Sequence, residues 1–273
     1  MPYILTVSNQ KGGVGKTTTA INLASALAAL GHRTLVVDMD PQGNASSGLG
    51  IPKDVAPMGT ADVLLDLRDM ESVLVPTALE RLDVVPATAE LVGVEMELVN
   101  ASRREYRLSD ALAHVADRYE TVVVDCPPSL NLLTVNALTA ANGVLIPLQT
   151  EYFAMEGLSQ LVRTIHAVRQ KLNPALERAG VVLTMVDLRN KLSQDVVTQA
   201  REVFGAEVFD TVIPRNIRLA EAPSFGKPIH AYDPECRGAR AYTELAQEIL
   251  ARRGAASTRS AGTSPPARLE EAS

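Results

Sequence analysis

Short apolar runs rich in β-branched residues alternate along this chain with longer segments in which apolar residues recur at helical spacing. Each run is bounded by turn or polar residues, which predicts buried strands over residues 4–7, 34–37, 82–85, 121–124, 144–147, 181–186 and 208–213. The segments between them predict helices over residues 16–30, 91–99, 108–118, 130–141, 156–172, 194–204 and 239–253. Because the strands are apolar on both faces, the pattern predicts an α/β fold, with a mostly parallel, twisted sheet and helices on both faces.

Length and composition limit how the chain is organised. Its 273 residues, 46% hydrophobic and 21% charged, have the make-up of a globular enzyme. We expect a single domain over residues 1–253 and a disordered tail over residues 254–273, where Ala, Ser, Thr and Pro replace the helical pattern. No apolar stretch approaches the roughly 18 residues that span a bilayer, and no charged leader precedes the first strand, so we expect a cytoplasmic protein without membrane attachment.

A glycine-rich segment joins the first predicted strand to the first predicted helix. It reads Lys11-Gly12-Gly13-Val14-Gly15-Lys16-Thr17-Thr18. Glycines at such a junction let backbone N–H groups converge on phosphate oxygens, and the positive end of the helix dipole adds to the attraction. In this pattern Lys16 contacts the β- and γ-phosphates, the Thr17 hydroxyl coordinates Mg²⁺, and Thr18 reaches the α-phosphate. The segment therefore predicts a nucleoside triphosphate site that uses magnesium.

Acidic residues follow two of the predicted strands. Asp38 and Asp40 come directly after the strand over residues 34–37, and Asp125 follows the strand over residues 121–124. Ligands of open α/β sheets bind at the carboxyl ends of strands, so these carboxylates should lie beside the glycine-rich segment. Asp125 fits a carboxylate that holds Mg²⁺ through water. A structural role as a helix cap or turn residue is an alternative for Asp38.

The first lysine of the glycine-rich segment narrows the class of protein. The sequence KGGVGKTT resembles the signature of the MinD/ParA family of ATPases, whose members form a homodimer with ATP between the protomers. The resemblance implies that Lys11 reaches the nucleotide of the partner protomer. It also implies that Asp40 orients or deprotonates the attacking water, and that Asp38 supports the metal and its loop. The implied catalytic residues are Lys11, Lys16 and Asp40, and the metal-site residues are Thr17, Asp38 and Asp125.

Three further motifs point to one branch of that family. They are DPQGN over residues 40–44, IPRNIRLAEAPSFGKPI over residues 213–229 and GARAY over residues 238–242. Together they resemble the ParA/Soj chromosome-partitioning ATPases, and the resemblance extends over residues 3–252. It implies that Pro214 and Asn216 contact the adenine, with Met185 and Asp187 nearby.

The partners follow from the same resemblance. The ATP-bound homodimer of this family binds double-stranded DNA without sequence preference and associates with the nucleoid, and a ParB-type protein bound at a centromere-like site stimulates hydrolysis. Arg and Lys contact backbone phosphates, and residues 215–240 hold five basic and three acidic side chains in a chain of net charge −6. The candidate DNA contacts are Arg189, Arg215, Arg218, Lys227, Arg237 and Arg240. The alternative for them is an ordinary solvated face.

Other members of the superfamily provide three alternative functions. A MinD-type cell-division regulator needs a C-terminal amphipathic helix for membrane binding, and the tail with Pro265 and Pro266 lacks an apolar stripe. An iron–sulfur protein needs paired cysteines, whereas Cys126 and Cys236 stand far apart. A metabolic P-loop enzyme, such as an amide-forming synthetase, shares the phosphate machinery but needs a polar substrate pocket that no motif here indicates. No arginine finger is visible in the nucleotide loops, so we expect slow turnover that a partner accelerates.

Overall fold

The centre of the molecule is a sheet of eight strands. The computed structural model describes residues 1–52, 56–151 and 158–261, with side chains to residue 255. Its strands are β1 (Tyr3–Val7), β2 (Thr34–Asp38), β3 (Val75–Pro76), β4 (Leu82–Val85), β5 (Thr121–Asp125), β6 (Gly143–Gln149), β7 (Glu177–Val186) and β8 (Val208–Pro214). They lie in the order β3-β4-β2-β5-β1-β6-β7-β8, and every neighbouring pair is parallel except β3 with β4. All seven predicted strands are thus confirmed.

Helices cover both faces of this sheet, as predicted. Those in the described ranges are α1 (Lys16–Ala29), α2 (Asn44–Gly48), α3 (Thr60–Leu64), α4 (Val94–Glu97), α5 (Arg107–Ala113), α6 (Leu132–Ala140), α7 (Leu158–Lys171), α8 (Lys191–Phe204), α9 (Ile217–Glu221), α10 (Ile229–Tyr232) and α11 (Arg237–Ala261). Alternate strand residues pack on opposite faces: Val36 joins the apolar cluster of α1 and α11, whereas Leu35 and Val37 join that of α3, α5 and α6. This period-two burial explains why the strands are apolar throughout.

Several short elements differ from the prediction. Helices α2, α3, α9 and α10 have four or five residues each, too few to show a helical period. The two-residue strand β3 contains Pro76 and lies at the edge of the sheet. Proline is tolerated in an edge strand because the N–H that it lacks has no second neighbouring strand to bind. The helix predicted over residues 91–99 is only the four residues of α4, and the one predicted from residue 108 ends at Ala113 rather than residue 118. Residues 156 and 157, where we expected α7 to begin, lie outside the described ranges.

The last helix continues past the predicted end of the domain. The helix predicted to end at residue 253 runs to Ala261, and residues 254–261 include no proline that would stop it. The domain boundary at Arg253 stays a prediction. The remainder of the expected tail, residues 262–273, lies outside the described residues. No helix in the described part of the chain is long and apolar enough to cross a membrane.

The central strands end at the same edge of the sheet. Val7 of β1 and Asp38 of β2 both pair in register with Asp125 of β5. The glycine-rich segment follows β1, and the loop with Asp40 follows β2. Parallel pairing therefore brings both loops and Asp125 together, as the sequence predicts.

A polar seam joins α1 to the C-terminal helices within an apolar cluster. Ser25 Oγ of α1 lies 2.7 Å from Nδ1 of His230, and Nε2 of His230 lies 3.0 Å from Oγ1 of Thr243 in α11. Thr19 Oγ1 of α1 lies 3.2 Å from the hydroxyl of Tyr242. Buried polar groups cost free energy unless they find partners, so these pairs fix α1 against α11.

We expect acid to destabilise the fold partly through His230. Burial lowers the pKa of this imidazole below its ordinary value of 6.5, so at intermediate pH the unfolded chain binds a proton that the folded protein does not. His230 therefore leaves the free energy of unfolding unchanged above about pH 6.5 and lowers it as the pH falls further. In urea denaturation at about pH 7.5 and about pH 5.5, His230→Gln should lose less stability on acidification than the parent.

The exposed His114 provides the matched control for this prediction. His114→Gln should lose as much stability on acidification as the parent. If His230→Gln and His114→Gln lose the same amount of stability on acidification, burial of His230 does not contribute to the acid sensitivity of the fold.

Candidate nucleotide-binding site

The glycine-rich segment forms the loop between β1 and α1. Gly15, the residue before α1, has a φ of +86°, and Gly13 has a φ of +75°. Both angles lie in the left-handed region that glycine adopts without strain. The loop leads directly into the first turn of α1, whose N–H groups have no acceptors within the helix. Such an arrangement binds phosphate groups.

Buried side chains beside the loop hold it in place. The Asn9 side-chain amide donates to Pro147 O of β6 at 2.8 Å, and Asn9 Oδ1 accepts from Lys11 N at 3.0 Å. The Thr184 hydroxyl of β7 donates to Val14 O at 2.8 Å. Asn9 and Thr184 lie outside the glycine-rich motif, so the sequence did not mark them as part of the site, although an Asn shortly after a strand is a recognisable turn signal.

Lys16 begins α1, and its side chain folds back along the loop. Its Nζ donates to Lys11 O at 3.1 Å, and the residue is only 7% exposed. Burial lowers the pKa of the ammonium, whereas the charges of Asp125 and Asp40 raise it. The structure therefore places Lys16 between the loop and the acidic residues, where the sequence predicts the terminal phosphates.

Asp125 is a buried carboxylate with few hydrogen-bond donors around it. It is fully buried at the end of β5, and neither carboxylate oxygen has a partner of normal geometry among the described residues. Burial, and next the charge of Asp38, raise the pKa of Asp125, while the nearby Thr17 hydroxyl and Lys16 lower it. An unpartnered carboxylate beside a hydroxyl matches the oxygen ligands that Mg²⁺ prefers.

Thr17 and Asp125 alone do not complete a metal site. The described residues contain no group of three or more His, Cys, Asp or Glu placed to hold an ion. A magnesium ion here needs further oxygen ligands, such as phosphates and water, which is typical of sites where the metal enters with a nucleotide.

The Asp38 carboxylate organises the chain that follows β2. Its Oδ1 accepts from Asp40 N at 3.1 Å, and its Oδ2 accepts from N and Oγ of Ser46 at 2.8 and 2.7 Å. Burial raises the pKa of Asp38 to about 6, although these hydrogen bonds lower it. Both oxygens already bind protein donors, which supports the structural alternative for Asp38. Its role at the metal stays a prediction.

Asp40 is nearly buried, whereas the Lys11 side chain is partly exposed. Asp40 is 7% exposed, and its Oδ1 accepts from Gln42 N at 2.9 Å. Lys11 Nζ forms an ion pair of 3.3 Å with Glu151 Oε2, and Oε1 of that glutamate accepts from the Gln149 side-chain amide at 2.6 Å. Lys11 is thus held at the surface within its own protomer.

A cavity of 390 Å³ opens beside the loop. Gly15 and Thr18 line it together with Met185, Pro214 and Asn216, so three of the four residues assigned to the adenine meet there. The fourth, Asp187, lines a neighbouring cavity and forms an ion pair with Arg189. Ile213, Leu219 and Tyr242 also line the cavity. They lie within the motifs over residues 213–229 and 238–242, but the sequence did not assign them to the nucleotide.

The candidate DNA contacts divide into paired and unpaired side chains. Arg218 binds Glu221 at 3.0 Å and Asp233 at 3.4 Å. Arg189 and Arg240 are also paired, with Asp187 and Glu235 respectively. Three others are exposed and form no ion pair with a described residue: Arg215, Lys227 and Arg237.

The class of protein follows from this fold and site. A parallel sheet, a glycine-rich loop that ends in Lys16 and Thr17, and a carboxylate at the end of a neighbouring strand define a P-loop nucleoside triphosphatase. A family model described as an AAA domain matches residues 3–178.

Relatives narrow the class to a family. Chromosome partitioning protein ParA of Caulobacter vibrioides is 56% identical over 251 residues, which cover 91% of this chain and 94% of that protein. Sporulation initiation inhibitor protein Soj of Bacillus subtilis is 52% identical over 251 residues, which cover 92% of this chain and 99% of that protein. The chain belongs to the ParA/Soj family of chromosome-partitioning ATPases.

Solved structures share the fold. Cobyrinic acid a,c-diamide synthase from Mycobacterium smegmatis, with bound ADP and magnesium, is 37% identical with a TM-score of 0.84, covering 94% of this chain and 97% of that one. The septum site-determining protein MinD of Pyrococcus horikoshii, complexed with Mg-ADP, is 24% identical with a TM-score of 0.73, covering 93% of this chain and 98% of that one. At 24% identity, the similarity to MinD shows a shared fold and nothing more.

We expect Asp125→Asn to stabilise the nucleotide-free protein while weakening its binding of Mg-ATP. The uncharged amide removes the cost of burying an unpartnered charge, so the free energy of unfolding in urea should rise by about 1 kcal/mol. Loss of the metal-side carboxylate should lower Mg-ATP affinity at least about tenfold in calorimetric titration. Asp117→Asn, at an exposed position, is the control that should change neither quantity. A less stable Asp125→Asn protein with unchanged affinity would contradict both parts.

Proposed function

We propose that this protein is an ATP-dependent DNA-partitioning ATPase. Mg-ATP causes two protomers to close around the nucleotides, the closed dimer binds DNA without sequence preference, and hydrolysis releases it. Membership of the ParA/Soj family supports the partitioning role. The observation that carries the ATP-dependent step is the unpartnered Asp125 carboxylate beside Thr17 and Lys16.

The nucleotide binds along the loop and into the adjoining cavity. Backbone amides from Gly12 to Thr18 hold the phosphates, Lys16 binds the terminal ones, and Pro214 and Asn216 contact the adenine. When bound, the magnesium ion neutralises phosphate charge and fixes the orientation of the γ-phosphate. Thr17 and Asp125 hold that ion, Asp125 through water. The ADP and magnesium in the 37% identical structure support this choice of ligands.

Asp40 positions the water for hydrolysis. It follows the strand next to β5, it is almost fully buried, and its charge acts on Lys16. A carboxylate in such a place can accept a proton from water that attacks the γ-phosphate. Asp38 supports this function indirectly, because it accepts the Asp40 N–H and so fixes the start of the loop.

Lys11 completes the nucleotide site of the partner protomer. Its ion pair with Glu151 is exposed, with 35% and 51% of the two side chains accessible, so separating them costs little. A nucleotide held by a second protomer offers Lys11 more negative charge than one carboxylate does. Dimerisation therefore depends on ATP.

Basic side chains around residues 215–240 hold the DNA. Arg215, Lys227 and Arg237 are exposed and unpaired within the described chain, so they contact phosphates without first breaking an ion pair. Arg189, Arg218 and Arg240 contribute after leaving their carboxylates. One protomer provides few contacts, and a dimer doubles them on one surface, which links DNA affinity to ATP.

A ParB-type protein at a centromere-like site accelerates hydrolysis in this proposal. Basal turnover is slow, since arginine fingers supply about 10³- to 10⁵-fold in related phosphoryl transfer. The loops expected beside the phosphates, residues 8–18, 38–50 and 125–131, contain no arginine. The protein is cytoplasmic and associates with the nucleoid in its ATP state.

An amide-forming synthetase is the second candidate function. The observation that favours it is the 37% identity with a solved protein named cobyrinic acid a,c-diamide synthase. The partitioning proteins are more similar, at 56% and 52% identity over more than nine-tenths of the chain. We therefore retain partitioning as the proposed function.

ATP should increase the affinity of the protein for duplex DNA, and Lys16→Ala should abolish the increase. Fluorescence anisotropy with and without a non-hydrolysable ATP analogue, over a salt series, measures both effects. Arg215→Glu and Arg218→Glu should weaken binding on every DNA sequence and lower the salt slope by about 1 for each lost phosphate contact.

Arg118 provides the matched control, since this exposed arginine precedes β5 at the opposite edge of the sheet. Arg118→Glu should bind DNA like the parent. DNA binding that is independent of ATP, or no DNA binding with or without nucleotide, would refute the partitioning function. Either result would leave the ATPase assignment intact.

Asp40→Ala should retain ATP binding and lose hydrolysis. Removal of the group that positions the water should lower the turnover rate by about 10² or more, and ATP should then hold the protein on DNA for much longer. Single-turnover hydrolysis and the dissociation rate from DNA are the measurements. Normal turnover in Asp40→Ala would show that another residue positions the water, and Asp117→Ala should behave as the parent.

A further inference from the structure

Two glycines form a backbone contact between the nucleotide site and the basic residues. We call residues 38–50 the switch segment and residues 215–229 the basic segment. A Cβ built on Gly50 would lie 3.0 Å from Gly226 O, and a Cβ built on Gly226 would lie 3.0 Å from Gly50 Cα. The two segments therefore touch without an intervening side chain.

The switch segment carries any displacement of Asp40 to Gly50. Gly43 N donates to Asp40 O at 2.9 Å, Ser47 N donates to Gly43 O at 3.0 Å, and Gly50 N donates to Ser47 O at 3.0 Å. These bonds include the whole of α2, so Asp40 and Gly50 are joined by continuous hydrogen-bonded turns. A short helix held this way moves as a unit.

Helix α2 is also wedged between α1 and the basic segment. A Cβ on Gly48 would lie 2.5 Å from Cδ1 of Ile21 in α1 and 3.8 Å from Cβ of Pro223 in the basic segment. Closely packed groups transmit small displacements because there is no free volume to absorb them. A shift of α2 must therefore move one of its two neighbours.

The far end of the basic segment is tied to the phosphate loop itself. Ile229 N donates to Asn22 Oδ1 at 2.7 Å, and Asn22 Nδ2 donates to Thr18 O at 2.8 Å. Thr18 lies in the first turn of α1, next to the predicted phosphates. The basic segment thus contacts two elements that meet the nucleotide, one near Gly226 and the other at Ile229.

The ion pairs of Arg218 link the position of the basic segment to the positive charge that is available for DNA. It lies within the segment and pairs with Glu221, which moves with it, and with Asp233, which follows α10 outside it. A displacement of α9 relative to α10 changes the pairing of Arg218 with Asp233. The guanidinium is then more or less available to a phosphate.

We propose that the contact of Gly50 with Gly226 couples the nucleotide state of the switch segment to the position of the basic segment. Gly50 and Gly226 are positioning residues, since neither lies at the reacting atoms. The inference deepens the proposed function and depends on it only for its output on DNA. Glycine is required on both sides, because both residues have left-handed φ angles, +88° and +61°, and a side chain would separate the backbones.

The first test compares Gly50→Ala and Gly226→Ala with Gly31→Ala as the matched control. Gly31 also has a left-handed φ of +94°, but no described atom lies within 4 Å of a Cβ built there. All three variants carry similar backbone strain, and only the first two press on the contact. The ratio of DNA affinities with a non-hydrolysable ATP analogue and without nucleotide should fall at least about fivefold in the contact variants. In Gly31→Ala the ratio should match the parent, and ATP affinity without DNA should be similar in all four proteins.

An unchanged affinity ratio in both folded contact variants overturns the proposal. A second measurement needs no substitution: hydrogen exchange of the parent with ADP and with the ATP analogue. Amides of residues 43–50 and 223–229 should change their exchange rates together, while those around Gly31 stay the same. A change at residues 43–50 without one at residues 223–229 overturns the coupling, even if the variants do not fold. A parent that binds DNA equally in every nucleotide state refutes the proposed function instead, and the exchange experiment still decides the coupling.

Discussion

The burial of acidic side chains at one edge of the sheet is the constraint on which the rest of this structure depends. Asp38 and Asp125 are register neighbours on β2 and β5, and both are removed from solvent. The protein gives the Asp38 carboxylate three hydrogen bonds and gives that of Asp125 none of normal geometry in the described chain. Because of this difference in hydrogen bonding, the Asp38 carboxylate organises the backbone, whereas the Asp125 carboxylate is available to a cation.

In the proposed function, the nucleotide-free protein bears the free-energy cost of this arrangement, and bound Mg-ATP removes it. Lys16 is the nearby positive charge, but burial disfavours its ammonium as well. A ligand that brings both phosphates and a divalent ion supplies the opposite charge that each group lacks, and it stabilises the state that binds it. In the proposed function this binding free energy is available for moving the loops, as an ATP-dependent switch requires. The unpartnered Asp125 would then serve function rather than stability.

The elements differ in how far the sequence predicted them, for physical reasons. The seven long strands were predicted because burial on both faces leaves a local mark, an unbroken apolar run. The helix predicted over residues 91–99 is only partly present: Leu91, Val94 and Leu98 recur at helical spacing and are buried, yet only the four residues of α4 form an α-helix. The apolar spacing therefore identified the buried face but not the length of the helix. Short helices such as α2 carry no period at all, although α2 places Asp40 relative to Gly50.

The sequence by itself determined the phosphate loop, because its chemistry is local: glycines, a strand before them, a helix after them, and Lys16 at the junction. It also determined which carboxylates meet, since parallel strands bring their carboxyl ends to one edge. Only the tertiary structure decided that Asp38 is satisfied by Ser46, that Arg218 pairs with Asp233, and that Gly50 touches Gly226. Each of these depends on how elements pack at distances below 4 Å. Residue spacing along the chain does not encode such contacts, because packing between separate elements fixes them.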